Sequence, residues 1–228
     1  MKYDNIIKST FLDRPNRFIA NVEINGIRET VHVKNTGRCR ELLIPGAEVW
    51  LTKPGTPGRK TEYDLVAVRK SNGMLLNIDS SAAYAAMLEW LKTQEFDAIR
   101  PEYKFGESRI DFYLERGPEQ YLLEVKGCTL EIDGVGYFPD APTQRGIKHL
   151  RELMKAAAEG YHAAIAFVIQ MDGVTEVRAN TKTHPEFGAV LKEAERAGVR
   201  VLMLPCHVEP DSLNILTERK EMPLPSCF

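Results

Sequence analysis

No stretch of the 228-residue chain stays apolar for the roughly 18 residues that a membrane-spanning helix needs. The opening MKYDNIIKSTFLDR has no long apolar block behind its first charges, so it does not read as a secretory leader. The expected location is cytoplasmic, with no membrane partner. Cysteine is sparse: Cys39, Cys128, Cys206 and Cys227 form no CxxC pair, which excludes a zinc knuckle and a thioredoxin-type motif. In a reducing compartment all four are expected as free thiols, with Cys39 and Cys128 as small packing residues. A Walker loop, a GxSxG elbow and an HExxH pair are also missing, so three common hydrolytic chemistries have no footing. Nor is there the overall basic excess that announces many nucleic-acid binders, since the net charge is −2.

What is present reads as a soluble globular chain, 43% apolar and 27% charged, long enough to bury a real core in one large domain or two small ones. The charge is unevenly spread. Residues 1–80 hold 13 Lys/Arg against 9 Asp/Glu, and the remainder holds 17 against 23. A mildly basic module joined to an acidic one suits a surface that meets phosphate beside acids that gather a divalent cation. Chance is the plain alternative.

The first eighty residues look all-β. Runs 18–24 and 29–35 flank Asn25–Gly26, a strong hairpin signal. Further strands are expected at 47–53, 61–70 and 74–80, with turns at Pro45–Gly46, 54–60 and Asn72–Gly73. Short strands and tight turns at this density predict a small barrel of OB type. The pattern changes near residue 80. Residues 80–96 read as a helix with Ser81 as a possible N-cap and Tyr84, Met87, Leu88 and Leu91 on one face. Strands follow at about 100–106, 108–115 and 120–126, then a helix at 143–159 presenting Ile147, Leu150, Met154 and Ala157. A strand at 163–170, a helix at 187–198 stopped by Gly198 and a strand at 199–205 complete the order αβββαβ plus αβ. The expected fold class is therefore α+β: an OB-like β-barrel over 1–82, and an α/β domain with a mixed central sheet over 83–228.

Chemistry concentrates in SRIDFYLERGPEQYLLEVKG, residues 108–127. Asp111 lies on one strand. Glu124 and Lys126 lie on the next, two residues apart and so on one face, with Leu123 and Val125 on the other. Hairpin pairing can set Asp111 beside them. Two adjacent carboxylates repel unless a cation lies between them. Their oxygens suit Mg²⁺ or Mn²⁺, held by Asp111, Glu124 and the carbonyl of Val125. Such an ion activates water, while a lysine orients it or stabilises charge developing on phosphorus. The arrangement resembles the D…ExK signature of the PD-(D/E)xK nuclease superfold, and the αβββαβ order agrees. Glu102, at the start of the first of the three strands, is a candidate further carboxylate. An ordinary exposed hairpin face with a salt bridge is the competing reading.

Two segments are candidates for nucleic-acid contact. Thr143 caps or opens a helix whose first turns carry Arg145, Lys148 and His149. Cations there oppose the helix dipole, and an anion docked at the N-terminus would explain them. A solvated basic face salt-bridged to Glu152 is the alternative, and His149 is either a general acid–base or a surface histidine. In the barrel, Arg38 and Arg40 follow the Asn35–Gly37 turn, with Arg17 and Lys34 nearby, as loop cations that can track a phosphate backbone.

The blocks EVKGCTL…GYFPDAPTQRGIKHLREL (124–153), SRIDF (108–112) and NTGRCRELLIPG (35–46) closely resemble the sugar fermentation stimulation protein A family, and the resemblance covers essentially the whole chain. It implies an N-terminal OB-like barrel, a C-terminal PD-(D/E)xK-like domain, and non-specific DNA binding with a link to sugar (maltose) metabolism. It places the nuclease motif on Asp111, Glu124 and Lys126. The leading expectation is a DNA-binding protein, possible also on RNA, that hydrolyses phosphodiesters with Mg²⁺. A non-catalytic DNA-binding regulator is the alternative. A hydrolase of a small phosphorylated metabolite would need a closed pocket.

Overall fold

The computed structural model describes residues 1–216 except Thr36, Arg38 and Thr56. Arg38 and Cys227, both named above, therefore lie outside the described residues. The N-terminal strands are β1 (Ile7–Asn16), β2 (Ile19–Ile24), β3 (Ile27–Val33), β4 (Glu48–Thr52), β5 (Asp64–Arg69) and β6 (Leu75–Asn77). Their order is β3-β2-β1-β4-β5-β6, and a parallel pairing of β3 with β5 through His32–Asp64 and Val33–Leu65 closes five of them into a barrel. The β2–β3 hairpin turns on Asn25 (φ 51°) and Gly26 (φ 82°), the two left-handed residues that a type I′ turn requires. Phe11, Val22, Val31, Val49, Leu51 and Leu65 fill the barrel.

β1 escaped the sequence reading, although it pairs with both β2 and β4. Its polar run IKSTFLDRPN lacks an apolar alternation, and its register slips at Phe11/Asp13 and Asp13/Asn16, so neither composition nor period marks it.

The second unit comprises α1 (Ala82–Leu91), β7 (Ala98–Phe105), β8 (Ser108–Arg116), β9 (Glu119–Cys128), β10 (Leu130–Ile132), β11 (Val135–Phe138), α2 (Gln144–Ala158), β12 (His162–Ile169), β13 (Val177–Ala179), α3 (Pro185–Arg196), β14 (Arg200–Glu209) and β15 (Ser212–Ile215). The main sheet runs β15-β14-β12-β9-β8-β7. β7, β8 and β9 are antiparallel, and β9, β12 and β14 are parallel, so the sheet is mixed as expected. α1 covers one face, packing Ala83, Met87 and Leu91 on Phe112, Leu123 and Val125. α2 and α3 cover the other through Ile147, Leu150, Phe187 and Ile165. That double coverage explains the unbroken apolar sequence of β12.

Several details differ from expectation. The β10–β11–β13 sheet and β15 are additional, each strand too short to carry a period. α1 is shorter than 80–96, and its buried face is built on Ala82, Ala83, Ala86, Met87, Trp90 and Leu91, leaving Tyr84 and Leu88 half-buried. Ser81 precedes the helix, but its side chain does not cap it. Asp79 Oδ1 instead accepts from the Ser81 N–H at 2.8 Å and from its hydroxyl at 2.6 Å.

The two units share one core. Barrel residues Phe11, Val49 and Leu76 pack in the same cluster as Ile110, Leu122 and Ile169. Gln170, 1% exposed, clasps the junction: its Nε2 donates to Asn77 O, Asn77 Oδ1 and Asp79 O at 3.2, 3.0 and 3.0 Å. Gly127 lies directly beneath. A Cβ there would stand 2.1 Å from Gln170 Oε1 and 3.3 Å from Ala83 Cβ, so only glycine fits the end of β9.

Candidate active site

The site begins with a failure of strand pairing. β8 and β9 pair from Arg116–Glu119 to Phe112–Leu123, where the ladder ends. Beyond that point Ser108 and Arg109 to Ile110 pair only with β7, and Glu124 to Cys128 pair only with β12. The next position would set Asp111 opposite Glu124. Instead Asp111 Oδ2 accepts the Val125 N–H at 2.7 Å, so a side chain replaces the missing backbone partner. The N–H and C=O of a strand residue leave on one edge. The Val125 carbonyl therefore faces the same opening.

Glu124 projects from this opening toward α2 and is 1% exposed. Its Oε1 accepts from Lys126 Nζ and from His149 Nδ1. Its Oε2 is buried with no hydrogen-bond partner. His149 Nε2 in turn accepts from Arg145 Nε at 3.3 Å, which assigns the ring proton to Nδ1. Burial works to raise the Glu124 pKa, but the bonds from His149 and Lys126 outweigh it and hold the carboxyl below its ordinary value. Asp111 goes the other way. Burial, then the neighbouring Glu124 charge, push it up to about 6, against the pull of the Val125 N–H and Lys126. Two carboxylates in one opening, one ionised and one half-neutral near pH 6, suit a place where a cation completes the charge balance.

The donor set fits a small hard cation. Among the described residues no group of three or more His, Cys, Asp and Glu forms a protein cage. Mg²⁺ rarely uses one, since it binds through one or two carboxylates and keeps several waters. The orphaned Oε2 of Glu124, Asp111 and the Val125 carbonyl provide that kind of half-shell.

The other residues named from the sequence divide clearly. Glu102 falls in the same cross-strand row, opposite Asp111 between the pairs Pro101–Phe112 and Tyr103–Ile110. Its φ of 56° bends β7 there, and its carboxylate lies 3.5 Å from Arg109 in an exposed pair. Its charge reaches Asp111 without a direct bond. His149 is 4% exposed, not a surface residue, because it carries the link from Glu124 to Arg145. Thr143 Oγ1 accepts the Gly146 N–H at 3.0 Å and caps α2. Lys148 reaches away to Glu107 O at 3.0 Å. Glu152 binds Lys155 at 2.7 Å, so the alternative reading, a basic face of Arg145 and Lys148 salt-bridged to Glu152, does not form. Lys34 is held at the junction by Asp79 Oδ2 at 2.7 Å and Ser81 Oγ at 3.0 Å. Arg17 and Arg40 are exposed on the barrel side. Sequence reasoning missed Tyr84, which stacks on Phe112 at 4.8 Å and feels the charges of Glu102 and Asp111. Its helical spacing signalled only a core position.

Residues 12–78 match the model of the SfsA N-terminal OB domain, and residues 78–212 match that of the sugar fermentation stimulation protein RE domain. The chain belongs to the sugar fermentation stimulation protein family. Relatives within the family include the sugar fermentation stimulation protein homolog of Desulfitobacterium hafniense, 53% identical over 216 residues that cover 93% of this chain and 94% of the relative. The homolog of Clostridium beijerinckii is 49% identical over 219 residues, covering 94% and 96%. The family fold is seen in the solved structure of Pyrococcus furiosus SfsA in complex with Ca²⁺, 31% identical with a TM-score of 0.82 over 95% of this chain and 94% of that one. No helix among the described residues is long and apolar enough to cross a membrane.

Proposed function

We propose that this chain is a divalent-metal-dependent nuclease of the PD-(D/E)xK type that binds DNA and hydrolyses its phosphodiester bonds. The observation that carries the reading is the buried, unpartnered Oε2 of Glu124 beside Asp111, at the point where β8 and β9 part. Asp111, Glu124 and the Val125 carbonyl would hold Mg²⁺ or Mn²⁺. When bound, the ion polarises a phosphoryl oxygen and acidifies water.

The chain's own residues supply the rest. Lys126, anchored on Glu124, presents its ammonium to the attacking water and to charge developing on phosphorus. His149 holds Glu124 in place and ionised, and Arg145 holds His149. Asp111 must lose its proton before it can act as an anionic ligand, so function is expected to fall as pH drops below about 6.

The test is incubation with single- and double-stranded DNA and RNA in Mg²⁺, Mn²⁺ or Ca²⁺, with Lys126→Ala and Asp111→Asn as controls. Cleavage is expected in the wild type, with a loss of about a hundredfold or more in Lys126→Ala, the scale on which removing one transition-state donor acts. Folded variants that cut as fast as the wild type would refute the assignment. Binding without cleavage under every metal would favour instead a non-catalytic DNA-binding regulator linked to sugar metabolism.

A further inference from the structure

A second feature lies where the barrel meets the segment leading into α2. A cleft of about 410 Å³ is lined by Arg14, Asn16, Arg17, Arg40 and Ala141, among others. Three arginines border it, Arg14, Arg17 and Arg40, while the Asp140 carboxylate lies against Gly37 of its wall and the Glu41 charge reaches Cys39, so the two exposed arginines, Arg17 and Arg40, are the cations offered to a ligand. Its size falls at the lower end of the roughly 300–1,000 Å³ of small-ligand pockets, so it accepts one phosphate-bearing unit and not a duplex. Next to the lining residue Arg17, Phe18 is 51% exposed, although the other barrel phenylalanine, Phe11, is 1% exposed. Arg17, one of the lining residues, lies 6.0 Å from the Phe18 ring centroid, which ties ring and cleft together.

The rim is held in place by the fold. Asn16 Oδ1 accepts the N–H of Phe18 at 2.8 Å and of Ile19 at 3.1 Å, and Phe18 O accepts the Val33 N–H at 2.8 Å. Arg14 ties the walls by donating to Gly37 O at 3.1 Å and to Asn35 O and Arg17 O at 2.7 Å. Ala141 comes from the second unit, two residues before the Thr143 cap. His149, the partner of Glu124, lies about 9 Å further along the helix at 1.5 Å per residue.

We infer that the Arg17–Arg40 cleft and the exposed ring of Phe18 form a subsite for one unpaired nucleotide, with its phosphate between the arginines and its base on the ring. Stacking of this kind needs a base with a free face, which a paired base inside a duplex does not offer. The substrate class that follows is single-stranded nucleic acid, or a single-stranded end or flap, presented toward the acid site from the barrel side. This inference rests on the nucleic-acid reading above and adds strandedness to it.

Fluorescence anisotropy tests it, using the full chain in EDTA so that cleavage does not intrude. The probes are a labelled thymidine oligomer and a blunt duplex, titrated against wild type, Phe18→Ala, Phe18→Trp and Arg40→Ala, each checked for an unchanged melting temperature. The wild type is expected to prefer the single strand. Phe18→Ala should weaken single-strand binding by about 5- to 150-fold, the range for loss of one base–aromatic stack, and leave the duplex unchanged. Arg40→Ala should flatten the dependence of log affinity on log salt by about 0.7, the single-strand value for one phosphate contact. Phe18→Trp should keep the affinity and lose emission when the oligomer is added. Wild-type affinity for the single strand in both Phe18→Ala and Arg40→Ala would overturn the subsite, as would equal losses on both probes, while leaving the nuclease assay to stand by itself. A wild type that binds neither probe, in EDTA and again in Ca²⁺, would overturn the subsite and the nucleic-acid reading together.

Discussion

Single side chains set the electrostatics of this protein more than its composition does. Asp111 is a buried carboxyl whose pKa is raised to about 6, while an unfolded chain would titrate near 4. The folded state therefore binds the extra proton between those values, and stability falls as pH rises from about 4 to about 6. Two pH units correspond to at most about 3 kcal/mol at pH 8. Asp111→Asn keeps an acceptor for the Val125 N–H and removes the charge. It is expected to melt at a higher temperature than the wild type at pH 8, with the advantage vanishing near pH 4. Thermal melts across that range check this, and an unchanged melting temperature at pH 8 would contradict it. Added Mg²⁺ should narrow the gap by stabilising only the wild type. At this scale the sequence was informative about identity and poor about context. The D…ExK spacing singled out Asp111, Glu124 and Lys126, which the structure gathers where β8 and β9 part. Nothing local showed that His149, twenty-five residues beyond Glu124, would be its partner, because that contact depends on how α2 lies on the sheet.

Among the elements, the decisive one is the parting of β8 and β9. The sequence placed these strands correctly, since runs rich in Ile, Phe, Tyr, Leu and Val lie on either side of Gly117–Pro118. It could not show where their ladder ends, because an Asp that replaces a backbone partner has no compositional signature. β1 was illegible for a related reason: a bulged, polar strand in a barrel shows no period of two. α2 was read almost to the residue, with Thr143 as its cap. Removing that cap in Thr143→Ala leaves the Gly146 N–H without its acceptor and should cost about 1 kcal/mol. Urea denaturation measures it, and a midpoint identical to the wild type would show that the hydroxyl contributes nothing.

At the level of the whole molecule, hydrophobic pattern and turn residues were enough to propose a barrel followed by an α/β sheet unit. They said nothing of how the two are joined. The join depends on Gln170, a residue with no motif around it, and on the closeness of Gly127 beneath it. Gln170→Leu would leave Asn77 O and Asp79 O buried without their donor, at about 1–3 kcal/mol for each acceptor that water cannot reach. Gly127→Ala would push the Gln170 amide off the same partners. Both variants are expected to lower the single unfolding midpoint of barrel and sheet alike. Two separate transitions in the wild type would argue against the continuous core.

The clasp has a mechanical corollary. Gln170 bonds to β6 and the residues after it and presses on the tail of the strand that bears Glu124 and Lys126, so the first unit and the acid site are cross-linked at this point. A molecule long enough to touch both meets the spacing that these bonds and the shared core set.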